Sequence, residues 1–296
     1  MMKALCMPSP SVSVCTLVRN RRTNLENLMR GLRASTQAPA ELVIVHMNED
    51  IYPLETLPAV DFPVRQVQLI EESAALPLAR ARNLAVRHAR HDHLILLDVD
   101  CIPDPEMIAT LLRDVQVVGG LVMGTIRYLG PDVNAPGWTF EDLRAGSELH
   151  VRRPVVAAGE PLAAPNYALF WSLCFICTRS VWEQLGGFDE QFPGYGGEDT
   201  DFAFTAEKMG VPFHLSNALC YHQYHPISRP PLHNFDNIVT NSRVFHRKWG
   251  RWCMEGWLAQ FAERGLIEWS EAEKDIHVLR RPTAEEVCAA TVELAY

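Results

Sequence analysis

Long apolar runs are absent from this chain, and no stretch approaches the roughly 20 apolar residues that a transmembrane helix needs. Residues 1–10 hold one lysine and no apolar core, so they do not resemble a secretory signal, and we expect a cytoplasmic protein. An excess of basic residues is also missing, since the formal net charge is −9. This charge argues against a surface built to bind nucleic acid or anionic lipid, while leaving room for one basic pocket.

Cysteine pairs suited to a metal or redox site are scarce as well. The eight cysteines are scattered, and the one C-x-x-C, Cys174 to Cys177, lies inside the apolar run 170–177. Because residues three apart on a strand point to opposite faces, these two thiols form a poor site. The sequence therefore predicts reduced, buried cysteines in a folded protein. Its 48% hydrophobic and 21% charged residues are typical of such a protein.

The first half of the chain contains a regular alternation of strand and helix patterns. Thr23 is predicted to cap a helix that runs to about Ala34, with Glu26 completing a capping box. A second helix is predicted over 76–90. The runs predicted as strands are 11–18, 41–46, 64–70 and 93–97. This alternation predicts an α/β fold with a mostly parallel sheet, which binds its ligands at the carboxyl ends of the strands.

The pattern changes between residues 129 and 165, which are rich in proline, glycine and acidic residues. This composition predicts a long mobile excursion over the ligand edge of the sheet. Regular patterns resume beyond it, as a run at 167–177, a short strand at 218–222, and helices at 179–185, 198–209, 234–249 and 254–264. The residues after 264 carry no clear pattern.

Two carboxylates follow the strand 93–97 directly, in Asp98-Val99-Asp100. Two buried, unpaired carboxylates at one strand end would each cost several kcal/mol to desolvate. A divalent cation removes that cost, and hard oxygen ligands suit Mg²⁺ or Mn²⁺. Alone, the motif is common and also fits a solvated turn.

A second acidic group, Glu198-Asp199 with Asp201 beyond, follows the glycine-rich stretch 193–197 and begins a predicted helix. Acidic residues in a first helical turn are favoured by the helix dipole, which is the simpler explanation. The alternative is a general base on a glycine-shaped loop that approaches a substrate closely. His222 and His225 follow the predicted strand 218–222, and imidazoles there are either surface histidines or ligands that complete a site begun by a carboxylate.

These groups occur in one order on one alternating scaffold, and the stretch from 11 to about 225 resembles the GT-A glycosyltransferases. The likeness is to family 2 and to the β-1,4-galactosyltransferase-like group in particular. The segments FWSL (170–173), LGGFD (185–189) and GYGGEDTD (194–201) look like that group's strand, helix, G-F and W-G-G-E-D-x-D signature. Tyr195 stands where the signature usually has tryptophan.

The resemblance implies a Rossmann-like GT-A domain over residues 1–228, with a central, mostly parallel sheet flanked by helices. Its nucleotide-sugar half would span about 11–125 and its acceptor half about 165–228. Residues 229–296 would form a helical C-terminal extension packed on the same domain.

The resemblance also implies a metal site. Asp100 is expected to ligate Mn²⁺ or Mg²⁺, with Asp98 supporting it and facing the nucleotide. His225 looks like the late metal-binding histidine of the family, and His222 falls where the galactosyltransferase-like group has another ligand.

The nucleotide side of the resemblance lies in the first half of the chain. Thr16 to Arg19, which end the first strand, resemble the segment that lines the base pocket. Asp50 follows the second strand, where the family has an acid that binds uracil. Arg82, in Ala79-Arg80-Ala81-Arg82-Asn83, looks like the arginine that lies near the diphosphate.

The implied reaction is an inverting transfer of a hexosyl group from a nucleotide diphosphate-sugar, most simply a UDP-sugar, to an acceptor hydroxyl. Asp199 would be the base, and Glu198 would help to hold the acceptor. A nucleotidyltransferase is disfavoured because residues 15–22 contain no glycine for a triphosphate loop. A retaining transferase and a non-catalytic nucleotide-sugar-binding module stay open as alternatives. The sequence does not name the sugar, the acceptor or the oligomeric state.

Overall fold

A computed structural model describes residues 10–72 and 75–292. The helices are α1 (Arg22–Arg33), α2 (Leu78–His88), α3 (Met107–Val118), α4 (Phe140–Ala145), α5 (Arg179–Leu185), α6 (Glu198–Lys208), α7 (Phe235–Trp249), α8 (Glu255–Glu263) and α9 (Ala284–Ala289). The strands of the main sheet are β1 (Val12–Val18), β2 (Glu41–Met47), β3 (Val64–Leu69), β4 (His93–Leu97), β5 (Cys101–Pro103), β6 (Leu121–Leu129), β7 (Ser147–Leu149), β8 (Leu162–Ala163), β9 (Cys174–Thr178) and β10 (Phe213–His222). Four short strands pair outside it, namely β11 (Ile227–Ser228) with β14 (Thr291–Val292), and β12 (Ile267–Glu268) with β13 (His277–Val278).

The central sheet is mixed but mostly parallel, in the order β3-β2-β1-β4-β9-β6-β10-β5. The first four strands in this order are mutually parallel. Strand β9 runs antiparallel between β4 and β6, and β5 closes the edge antiparallel to β10. The predicted α/β fold is confirmed.

Each face of the sheet is covered by helices. Side chains of α2, α5 and α6 form one apolar core with alternate residues of the strands, and those of α1 and α3 form the other. Cys174 lies in the second core and Cys177 in the first, so the two thiols point to opposite faces as predicted. Both are buried and reduced.

The C-terminal part of the described chain has an apolar cluster of its own, which includes Phe235, Leu258 and Ile276. It is joined to helix α6 through Asp201, which is buried. Lys248 Nζ lies 2.9 Å from one oxygen of Asp201, and Trp249 Nε1 donates to the other at 2.8 Å. Within the ranges described, none of the helices has the length and apolar character needed to cross a membrane.

One helix cap predicted from the sequence is wrong, and one region has more regular structure than its pattern indicated. Thr23 does not cap α1, because the helix already begins at Arg22 and Thr23 lies inside its first turn. Glu26 instead accepts a hydrogen bond from Arg22 at 3.0 Å. The region 129–165, predicted as a long mobile excursion, contains β7, β8 and α4, and α4 has a capping box between Thr139 and Asp142.

Candidate active site

Three potential metal ligands meet where the central strands end. Asp100 stands just after β4, and the next residue, Cys101, pairs with His222 across the β5–β10 ladder. The ladder therefore brings the carboxylate beside the histidine, and the turn after β10 returns His225 to the same place. One ligand atom from each of Asp100, His222 and His225 lies within 4.8 Å of the others.

The Asp100 carboxylate is fixed by two residues that the sequence analysis did not select. Arg21 Nη1 lies 2.5 Å from Oδ2, and Asn24 Nδ2 donates to Oδ1 at 2.8 Å. Arg21 directly precedes α1 and Asn24 lies in its first turn, so both follow the end of β1. Ligands of an α/β sheet bind at the carboxyl ends of its strands, and this rule was the one signal in the sequence that could have pointed to Arg21 and Asn24. The two contacts hold both oxygens of the carboxylate that groups with the histidines.

The donor set fits a divalent ion of the Mn²⁺ type. One carboxylate and two imidazoles are ligands that borderline divalent transition ions accept, whereas Mg²⁺ prefers oxygen alone. Burial lowers the pKa of His222 to about 4, and the nearby charge of Asp100 opposes this shift. His222 is therefore neutral at neutral pH, which is the form that binds a metal.

Arg82 links Asp98, two residues before Asp100, to the acidic start of α6. Its guanidinium is buried, and it lies 3.1 Å from Glu198 Oε1 and 3.6 Å from Asp98 Oδ1. It also stands over the ring of Phe188, 5.0 Å from the ring centroid. Burial raises the pKa of Asp98 to about 6, and Arg82 opposes that rise. Asp98 therefore faces the arginine and is not one of the three grouped metal ligands.

The glycine loop before α6 is shaped by close packing against the C-terminal helices. A Cβ on Gly194 would lie 2.5 Å from Asn237, and one on Gly196 would lie 2.7 Å from Met254 Sδ. Both glycines have positive φ angles, which other residues rarely adopt. Gly196 N donates to Glu198 Oε2 at 3.0 Å, so Arg82 and this amide engage both oxygens of Glu198.

Asp199 differs from Glu198 in what its carboxylate contacts. Oδ1 accepts hydrogen bonds from the backbone N–H and hydroxyl of Thr200, at 2.7 and 3.4 Å. No described residue donates to Oδ2. Burial raises the pKa of Asp199 to about 7, with a further rise from the charge of Glu198 and an opposing effect of Arg82. A carboxyl with that pKa can accept a proton near neutral pH.

The residues expected on the nucleotide side are more dispersed. Thr16 is buried in β1, and its hydroxyl has no hydrogen-bond partner in the described part of the chain. Arg19 is half-buried after the same strand. Asp50 lies on the surface, where Gln68 donates to it at 3.4 Å. Its neighbour Glu49 is the better ordered acid, since it accepts from Asn20 N at 2.5 Å and from the Tyr52 hydroxyl at 2.9 Å.

Comparison with known proteins identifies the family. The profile of the family described as "Glycosyltransferase like family 2" matches residues 42–236, about two thirds of the chain. The chain belongs to this family. The narrower likeness to the β-1,4-galactosyltransferase-like group stays a prediction.

Two proteins with similar sequences are named as a glucosyltransferase and as a synthase. The chain is 23% identical over 268 residues to validoxylamine A glucosyltransferase of Streptomyces hygroscopicus subsp. limoneus, covering 81% of this chain and 57% of that protein. It is 24% identical over 219 residues to hyaluronan synthase of Pasteurella multocida, covering 64% of this chain and 22% of that protein. The chain thus spans between about a fifth and three fifths of these relatives.

Solved structures share the fold. GalNAc-T7, crystallised with UDP, GalNAc and Mn²⁺, superposes with a TM-score of 0.54 at 16% identity, over 81% of this chain and 50% of that one. Residues 1–349 of TarS from S. aureus give a TM-score of 0.51 at 13% identity, over 86% and 72% of the two chains. The α/β fold is therefore that of GT-A glycosyltransferases.

Proposed function

We propose that this protein is a metal-dependent, inverting glycosyltransferase that moves a hexosyl group from a nucleotide diphosphate-sugar to an acceptor hydroxyl. One observation carries the proposal. Arg82 contacts both Asp98, two residues before the metal ligand Asp100, and Glu198, which precedes Asp199. This bridge supports one site that holds both the metal group and the base, as a displacement at a sugar bound between them requires.

The donor in this proposal is a UDP-sugar. The end of β1 and the acids Glu49 and Asp50 supply the edge where a base would lie, and a carboxylate can accept the uracil imide N–H. The structure of GalNAc-T7 with UDP and Mn²⁺ offers a precedent on the same fold. A divalent cation held by Asp100, His222 and His225 would stabilise the charge that develops on the departing diphosphate.

The chain's own residues perform the remaining work of the reaction. Asp199 Oδ2 takes the proton of the acceptor hydroxyl, while Thr200 fixes Oδ1 and the direction of the carboxylate. Glu198 holds the glycine loop through Gly196 N and holds Arg82 through its other oxygen, so its support of the acceptor is indirect. One base and one displacement invert the anomeric centre.

The division into parts belongs to the same proposal. Residues from about 11 to 125 form the nucleotide-sugar half and those from about 165 to 228 the acceptor half, with 229–296 as an extension packed on one GT-A domain; positions 73–74 and 293–296 of these ranges lie outside the described residues. The contacts of Asp201 with Lys248 and Trp249 support that packing. The retaining and the non-catalytic alternatives are not favoured, because each leaves Asp199 without a role.

The rate of nucleotide release with saturating donor and acceptor tests the proposal through its pH dependence. Asp199 must be ionised to act, and its pKa is about 7. We expect kcat to rise about tenfold for each pH unit below that value and to level off above it. In the Asp199→Asn variant, the remaining kcat should no longer rise with pH below about 7. A wild-type profile that is flat between pH 5 and 8 would contradict the role of Asp199.

A further inference from the structure

An arginine with an unsatisfied nitrogen lies at the edge of the proposed site. Arg153 follows β7, and its guanidinium carbon stands 3.3 Å above the centroid of the Trp171 ring. Nη1 donates to the carbonyl oxygen of Leu169. Nη2 is shielded from solvent and has no hydrogen-bond partner among the described residues. A buried donor left unpaired costs free energy unless a ligand satisfies it.

This arginine also lacks an ion-pair partner among the described residues. In the described parts of the chain, no carboxylate forms an ion pair with Arg153, Arg152 or Arg229. The three lie together, because each contributes, after burial, to lowering the pKa of His150. The protein as a whole has more acidic than basic residues, with a net charge of −9, yet none of these acids pairs with the three arginines in the described parts of the chain. This arginine cluster is therefore a local positive region.

Aromatic contacts show where the cluster lies relative to the metal ligands. The ring of Trp171 meets His150 edge-on at 5.1 Å, His150 meets Tyr128 at 6.0 Å, and Tyr128 meets His222 at 5.1 Å. Three ring contacts thus separate Arg153 from the nearest metal ligand. Burial lowers the pKa of Arg153 to about 10, and the charges of Tyr128 and Asp199 oppose that shift. Arg153 is therefore within electrostatic reach of Asp199, the proposed base, beside which an acceptor would bind.

We propose that the arginine cluster binds an anionic group of the acceptor, and that Arg153 is the residue that contacts it. This inference rests on the proposed function and names its acceptor class: a sugar or glycan that carries a carboxylate or a phosphate. Such a group supplies the hydrogen-bond acceptor that Nη2 lacks and the negative charge that the cluster lacks. Arg152 and Arg229, both exposed, attract the anion at longer range.

Binding of matched sugars to the Mn²⁺- and UDP-loaded protein tests this without requiring turnover. The probes are methyl glucuronide, glucose 6-phosphate and the neutral methyl glucoside, measured by ligand-observed NMR titration. A charge-assisted hydrogen bond predicts that at least one anionic probe binds wild type about 10- to 100-fold tighter than the neutral sugar. Comparing the affinities of methyl glucuronide and glucose 6-phosphate shows whether the site prefers a carboxylate or a phosphate.

Variants then assign the preference to Arg153. Arg153→Met keeps an unbranched side chain on Trp171 and should abolish the preference for the charged probe, while Arg153→Lys should keep part of it. Arg251→Met is the matched control, because Arg251 also lies over an aromatic ring, that of Phe204 at 4.1 Å. It should change nothing.

Three outcomes would overturn the inference. They are equal binding of charged and neutral sugars to wild type, a preference that persists in Arg153→Met, and a loss of UDP affinity in that variant. The last would mean that the arginine binds the donor diphosphate. Metal-dependent nucleotide release in wild type, measured separately, shows whether the proposed function itself fails.

Discussion

Replacing Asp199 with asparagine is expected to reduce turnover by about 10²–10⁴ while leaving nucleotide-sugar affinity within a few-fold. Asparagine has the shape of aspartate and keeps an oxygen for the N–H of Thr200, so the loop should stay in place. What it lacks is a proton acceptor at Oδ2. Steady-state kinetics with donor and acceptor, together with calorimetric titration of the donor, measure the two quantities.

Glu207→Gln is the matched control for this change, because Glu207 is an exposed acid farther along α6. It should leave turnover unchanged.

Unfolding of Asp199→Asn can be excluded by measuring its thermal stability. The pKa of Asp199 is raised from 3.8 to about 7 in the folded protein, so its ionisation destabilises the fold. That cost is absent below about pH 4 and complete above about pH 7, so the variant should gain stability at pH 8 and not at pH 4. Near-normal turnover would remove Asp199 from the mechanism.

The second large effect is expected from the metal site. Chelation should abolish nucleotide release by wild type, and added Mn²⁺ should restore it. Asp100→Ala removes the only carboxylate of the three grouped ligands and leaves Arg21 and Asn24 without their shared partner. Removing a residue that only orients a metal ligand lowers metal affinity or activity by about 10- to 100-fold. Removing the metal ligand itself should therefore lower activity by more than about 100-fold.

Excess Mn²⁺ should not restore Asp100→Ala to the wild-type rate. Asp61→Ala, which removes an exposed acid before β3, is the control for the loss of one negative charge. Full activity of wild type in excess chelator, or of Asp100→Ala in any metal, would show that the group of Asp100, His222 and His225 is not a catalytic metal site.

Much of the fold could be predicted from the sequence, because apolar periodicity is a local property. Strand β4 was predicted at its observed bounds, and α5 likewise, since each is a continuous pattern ended by a clear signal. The region 129–165 could not be predicted in this way. Its contacts are with distant residues: Trp138 donates to Asn27 at 3.0 Å, and Asn134 donates to Gln223 at 3.0 Å. No local pattern encodes such pairs.

The candidate site shows the same limit. The motifs selected Asp100, His222 and His225, which the fold brings together. The side chains that orient these ligands were not predicted, because Arg21 and Asn24 stand 79 and 76 residues before Asp100 and lack a motif. Their roles, and those of the motif residues, stay predictions until variants are measured. The cytoplasmic location also stays a prediction.

The configuration of the first product tests the central claim most directly. Wild-type protein with Mn²⁺ would be incubated with a panel of UDP- and GDP-sugars and an acceptor mixture, and the anomeric protons would be followed by NMR spectroscopy. We expect a UDP-sugar to be consumed and the new linkage to have the anomeric configuration opposite to that of the donor, with no product after chelation. A linkage of retained configuration, or product formed equally well without metal, would contradict the account.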